Sequence, residues 1–93
     1  MANTEFYVVY INRRKDVTYA ALEEKMNLSH DWYRINENLW ILCTTSDEDK
    51  WYARLSSLVK ETGRLFICKL DMAKRQGWMD KSFWKWVRRE KET

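Results

Sequence analysis

Ninety-three residues carrying 17 basic and 14 acidic side chains, with 45% hydrophobic and 15% aromatic content, describe one folded domain over residues 1–93 and exclude a disordered chain. A chain of this length buries only roughly 60 to 65% of the surface it exposes when unfolded, so it needs a dense core, to which six Trp contribute, or a partner. Two Gly and no Pro leave little room for linkers, the opening Met-Ala-Asn-Thr-Glu lacks the regions of a signal peptide, and no apolar run approaches the roughly 18 residues that span a bilayer, so a cytoplasmic protein without membrane contact is expected.

The first predicted strand, Phe6 to Ile11, reads Phe-Tyr-Val-Val-Tyr-Ile and has no polar face. Successive side chains of a strand point to opposite faces, so both faces of its sheet need cover. Asp16 or Thr18 can cap a helix in which Tyr19, Leu22 and Met26 recur at helical spacing, with Asn27 as its end. Ser29 to Ile35 and Leu39 to Thr44 read as two strands of a hairpin around Asn36-Glu37-Asn38, where Asn tolerates tight-turn geometry. Thr45 or Ser46 is positioned to cap a second helix, with Asp47, Glu48 and Asp49 in its first turn and an apolar stripe of Trp51, Leu55, Leu58 and Val59. Gly63 stops it, and Arg64 to Leu70 forms the last strand. After Gly77, Asp80 or Ser82 can cap a terminal helix over about 80–90 that contains Phe83, Trp84, Trp86 and Val87.

The order β-α-β-β-α-β plus a C-terminal helix predicts an α+β fold of ferredoxin-like type, a four-stranded antiparallel sheet in the order 4-1-3-2 with two crossover helices on one face. Strands one and three are then central. In the last strand, Phe66, Cys68 and Leu70 are expected under the helices, with Leu65, Ile67 and Lys69 facing away. The second face would gather Phe6, Val8, Tyr10, Leu65 and Ile67, too large an apolar patch for a free monomer. A homodimer or another partner covering these residues, with Trp78 and Trp84 of the C-terminal segment, is the expected solution. Folding the terminal helix back over the sheet is the monomeric alternative. Cys43 and Cys68 read as buried reduced thiols, about 10 Å apart on strands separated by the first, too far for a disulfide.

A catalytic set is hard to assemble. His30 and Asp31 are adjacent in an extended segment and point to opposite faces, so they cannot pair as base and orienting acid. Asp47, Glu48 and Asp49 fan out around a helix by about 100° per residue and do not converge on a cation. No glycine-rich phosphate loop is present, and no Ser or Cys has a base. The chain leans away from enzymes, with no catalytic residue, metal site or cofactor assigned. Basic residues carry more information. The formal charge of +3 hides an uneven distribution, because residues 74–91 hold seven basic against two acidic side chains, +5, leaving −2 for the remainder. Lys74, Arg75, Lys81, Lys85, Arg88 and Arg89, with Arg13, Arg14 and Lys15 after the first strand, are the candidate phosphate-binding residues. Phe6, Tyr7, Tyr10 and Trp40 are strand aromatics that a ferredoxin-like sheet can present to bases, although the third strand lacks the Gly-aromatic pattern of the RNA-recognition module.

Taken together, Phe6-Tyr-Val-Val-Tyr-Ile-Asn, Thr18-Tyr-Ala-Ala-Leu, Trp32 with Leu39-Trp-Ile-Leu-Cys-Thr, Gly63-Arg-Leu-Phe-Ile-Cys-Lys-Leu, and Gly77-Trp78 before Phe83-Trp-Lys-Trp-Val resemble the small prokaryotic SinR-family proteins. That group is similar to the ferredoxin-fold subunit of the CRISPR spacer-integration complex. The resemblance implies a ferredoxin-like fold and a homodimer with facing sheets. It also implies an Asp directly after the Tyr that ends the first strand, serving as a metal ligand for phosphodiester cleavage. Here Tyr10 is followed by Ile11-Asn12; Ile cannot bind a cation, and neutral Asn is a poorer ligand for a hard metal than a carboxylate. The leading expectation is a non-catalytic homodimeric module binding nucleic acid or another phosphate-bearing ligand through its basic surface. A second is a small inhibitor or regulator of another protein, of phage or mobile-element type and acting against host defence. A third is a divergent metal-dependent nuclease.

Overall fold

Strand β1 (Glu5–Asn12) runs through the middle of an antiparallel sheet, paired on one side with β3 (Leu39–Thr44) and on the other with β4 (Arg64–Leu70). With β2 (Asp31–Asn36) outside β3, the order is β2-β3-β1-β4. Three helices complete an α+β architecture: α1 (Tyr19–Met26), α2 (Glu48–Leu55) and α3 (Lys81–Glu92). The structure, a computed structural model, describes residues 3–92 and side chains as far as residue 90, so the Lys91 side chain counted in the basic segment lies outside the described set.

The unalternating sequence of β1 is explained by apolar layers on both faces. On one, Val9 and Ile11 join Trp40 and Leu42 of β3 beneath Leu22 and Met26 of α1 and Trp51 and Leu55 of α2. On the other, Phe6 joins Ile41 and Cys43 beneath Phe83, Trp86 and Val87 of α3. Trp40 and Trp51 are fully buried; each removes on the order of 200 Å² from water, about 5 kcal/mol as an upper estimate. The cover that an all-apolar strand demands is thus supplied in part by the chain's own terminal helix.

That arrangement corrects the predicted sidedness. Leu65 and Ile67 pack with the α1 and α2 layer, because β4 pairs Val9 with Ile67 and Ile11 with Leu65. Phe66, Cys68 and Leu70 share the α3 face with Phe6, Val8 and Tyr10. One sheet-to-sheet interface therefore cannot collect Phe6, Val8 and Tyr10 together with Leu65 and Ile67. Cys43 is buried as expected, but Cys68 is exposed, and both are free thiols.

Local chemistry shifts several boundaries. Thr18, not Asp16, caps α1, its hydroxyl accepting from the Ala21 N–H at 3.1 Å. The Ser29 hydroxyl donates to the Met26 carbonyl at 2.7 Å, holding the chain in a turn, so β2 begins only at Asp31. The cap of α2 is Asp47, which accepts from the Lys50 N–H at 3.0 Å. Thr44 is occupied by the Ser46 N–H and the Trp51 indole. Leu58 reaches the core from a short 3-10 turn, Ser56–Leu58, and not from α2 itself. The β2–β3 turn is closed by the Asn36 side chain accepting from the Asn38 N–H, and Asn38 is tied to Ile11 through both its backbone and its side chain.

Candidate nucleic-acid interface

Helix α3 begins where the Asp80 carbonyl accepts from the Phe83 and Trp84 N–H groups. Phe83, Trp86, Val87 and Glu90 recur at i, i+3, i+4 and i+7 and are buried against the sheet. Three contacts fix its orientation. The Tyr33 hydroxyl lies 2.8 Å from the Ser82 hydroxyl, and the Trp86 indole and the Arg89 guanidinium donate to the same Asp31 carboxylate oxygen at 3.1 and 2.9 Å. Trp86 also meets Phe6 edge-on at 6.0 Å, and Phe83 meets Tyr33 at 5.2 Å.

Docking of that face leaves Lys81, Lys85 and Arg88 on the opposite side, spaced i, i+4 and i+7 and exposed. They form a positive stripe about 10 Å long, and none of the three makes an ion pair with a described residue. Lys74 is exposed on the segment that leads into the helix, and Trp78 on that segment is 99% exposed. Arg75 donates to the Met72 carbonyl at 2.8 Å. Arg89 is engaged with Asp31 and lies 3.7 Å from Glu90.

Arg13, Arg14 and Lys15 fall at the other end of β1, about 20 Å from the Phe6 end beneath α3. The structure does not merge the two basic groups. Arg14 has a structural task, with its guanidinium on Asp16 at 3.1 Å and on the Ser57 carbonyl at 2.7 Å. The Arg14 hydrogen bond is the main reason that the Asp16 carboxyl sits below its ordinary range. Arg13 reaches the Val17 carbonyl and lies over the Tyr19 ring, leaving Lys15 as the exposed cation of the three.

Of the strand aromatics, Phe6, Tyr7 and Trp40 are buried and closed to any ligand. Tyr10 remains 37% exposed, and Phe66, assigned from sequence to the helix-covered core, is 61% exposed. The missed signal was the β1–β4 register, which puts Tyr10 and Phe66 opposite each other on the half of the face that α3 leaves open.

Two acidic groups, Asp31 and Glu90, are committed to the fold. Asp31, considered as a partner for His30, instead accepts from the Trp32 N–H, Trp86 and Arg89. Burial pushes its carboxyl up, but hydrogen bonds from Glu90, Trp32, Trp86 and Arg89 together outweigh burial and leave it lowered. Glu90 is raised, first by sharing a hydrogen bond with Asp31, then by burial and by the Asp31 charge. His30 is exposed. Ile11 is buried in the α1 and α2 layer, and Asn12 sits opposite Arg64. Among the described residues no group of three or more His, Cys, Asp or Glu side chains is arranged to hold a metal ion. No family model, curated protein or solved structure matches the chain.

Proposed function

We propose that this protein is a non-catalytic, ferredoxin-like module that binds nucleic acid through the exposed face of α3 and the segment before it. The observation that carries the reading is the separation of faces on α3. Its aromatic residues are spent on docking, so Lys81, Lys85 and Arg88 are held outward on a rigid element as cations for phosphate, with Lys74 exposed on the segment before it.

The test is a salt titration of binding to a labelled oligonucleotide. Three or four phosphates neutralised on a single strand give a log-log slope of about −2 to −3, and Lys85→Ala reduces that slope by about 0.7. A slope near zero retires the reading. A second reading, docking onto another protein, is favoured by Trp78, since an exposed Trp is a common anchor of interfaces. A stoichiometric protein partner lost on Trp78→Ala, with no salt-dependent oligonucleotide binding, is the result that selects it.

A further inference from the structure

Helix α3 covers β2, β3 and the Phe6 end of β1 on its face of the sheet. The remaining part, at the Tyr10 end of β1 and along β4, carries two aromatic side chains opposite each other on neighbouring strands, both open to solvent. Tyr10 and Phe66 are register partners, which sets their Cβ atoms about 4.5 to 5.5 Å apart on one face. Leu39 flanks Tyr10 from β3, and Arg64, exposed, lies two residues before Phe66 on the same face. Toward α3 the same face carries a groove of about 310 Å³ lined by Ile35, Ile41, Leu70 and Met79, with Asp71, Lys74 and Arg75 also lining it.

We infer that Tyr10 and Phe66 form a stacking platform for two unpaired bases, with Arg64 on one flank and Lys74 and Arg75 on the other meeting the phosphates, so that the ligand is single-stranded nucleic acid. The inference rests on the reading above and narrows its ligand. Aromatic faces on a sheet serve bases that are free of pairing, whereas a duplex offers only its backbone and groove edges. Charge selects against a second copy as the occupant. Residues 74–91 carry +5, and two copies meeting through this half-face bring those segments toward each other. The same charge attracts a polyanion. Tyr10, Phe66 and Arg64 stand apart from the α3 stripe in sequence and element, so the two contributions are separable by mutation at those residues.

Fluorescence anisotropy with a 12-nucleotide oligo-dT, an oligo-U of the same length and a blunt duplex tests this at fixed low salt. Phe66→Ala and Tyr10→Ala are each expected to weaken single-strand binding about fivefold or more, with duplex binding changed less than twofold. Phe66→Trp retains single-strand binding, and Phe66→Leu, which keeps apolar bulk without a ring, loses it. Circular dichroism and the urea midpoint identify any variant that has lost its fold. Lys85→Ala weakens both probes alike. Unchanged single-strand binding in folded Phe66→Ala and Tyr10→Ala, or equal losses on both probes, overturns the platform while leaving the basic stripe standing. Wild-type protein that binds no probe removes the functional reading and the platform with it. A wild-type dimer by light scattering that Phe66→Ala converts to monomer gives this half-face to a second copy and also overturns the platform.

Discussion

Glycine at position 63 and glycine at position 77 look alike in the sequence, each a stop before the next element, yet their surroundings differ. A Cβ on Gly63 would collide with the Asn12 carbonyl oxygen and meet Val59 Cα at 2.8 Å, both backbone atoms that cannot swing aside. One on Gly77 would meet nothing within 4 Å. Gly63→Ala is therefore expected to lower stability by about 1 to 3 kcal/mol, the range for forced overpacking, and Gly77→Ala to stay within about 0.5 kcal/mol, both measured by urea unfolding. Equal effects contradict the account. The left-handed residue of this turn is Glu61, at φ 76°, and neither glycine has positive φ. Gly63 is needed for close approach, a reason that spacing could not supply. At the same scale Trp40 shows how burial outweighs a local cost. Its indole N–H has no hydrogen-bond partner among the described residues, a penalty of about 1 to 3 kcal/mol. Full burial of the ring, the Trp32 ring at 4.6 Å and the Arg34 guanidinium 5.4 Å from its centroid hold it in place.

Among the elements, α3 is the one whose attachment responds to pH. Its C-terminal end is held by Asp31 and Glu90, and the two carboxyls shift in opposite directions. Asp31 is lowered, so its contribution is present above its ordinary 3.8 and is lost as pH falls through the depressed value. Glu90 is raised, so the folded state holds a proton that the unfolded chain releases near 4.5; that contribution is complete below 4.5 and disappears as pH rises through the higher folded value. The positive charges of Arg89 and His30 act on Glu90 in the opposite sense. Glu90→Gln keeps a donor for Asp31 and cannot ionise. Thermal melts are expected to show the variant gaining on the wild type as pH rises above 4.5, with the advantage gone below it. A difference that does not vary with pH removes the shared proton from the explanation. The helices and strands themselves were legible, because helical spacing of apolar residues marks the former and short continuous apolar runs bounded by turn residues mark the latter. Which face each strand turned to was not. β4 is apolar at both Leu65 and Phe66, at both Ile67 and Cys68, and only the pairing of Val9 with Ile67 assigns the sides. The cap of α2 was blurred for a similar reason, with Thr45, Ser46 and Asp47 all chemically able to accept the bond that Asp47 takes.

For the molecule as a whole, the sheet is a partition between two apolar layers, one closed by α1 and α2 and the other half closed by α3. No helix among the described residues is long and apolar enough to cross a membrane. The candidate binding residues were legible as residue types, since a basic run interleaved with Trp stands out in any sequence. Their division into a free stripe on α3 and a largely occupied loop at Arg13 and Arg14 depends on contacts with Ser57, Val17 and Tyr19 that no spacing rule contains. Asp31 was likewise visible only as a neighbour of His30, because its real partners are 55 and 58 residues away.

The two cysteines sit on the same face of this partition, Cys43 sealed beneath α3 and Cys68 on the open half. Burial is the first cause of the raised pKa of the Cys43 thiol, with the Thr4 hydrogen bond acting against it. The protein thus carries its own stopwatch for helix release. A thiol-reactive dye is expected to tag Cys68 on mixing and Cys43 only as often as α3 lifts, and Asp31→Ala, which removes the acceptor for Trp86 and Arg89, should quicken the slow phase alone. Two thiols tagged at one common rate would mean that α3 gives Cys43 no shelter.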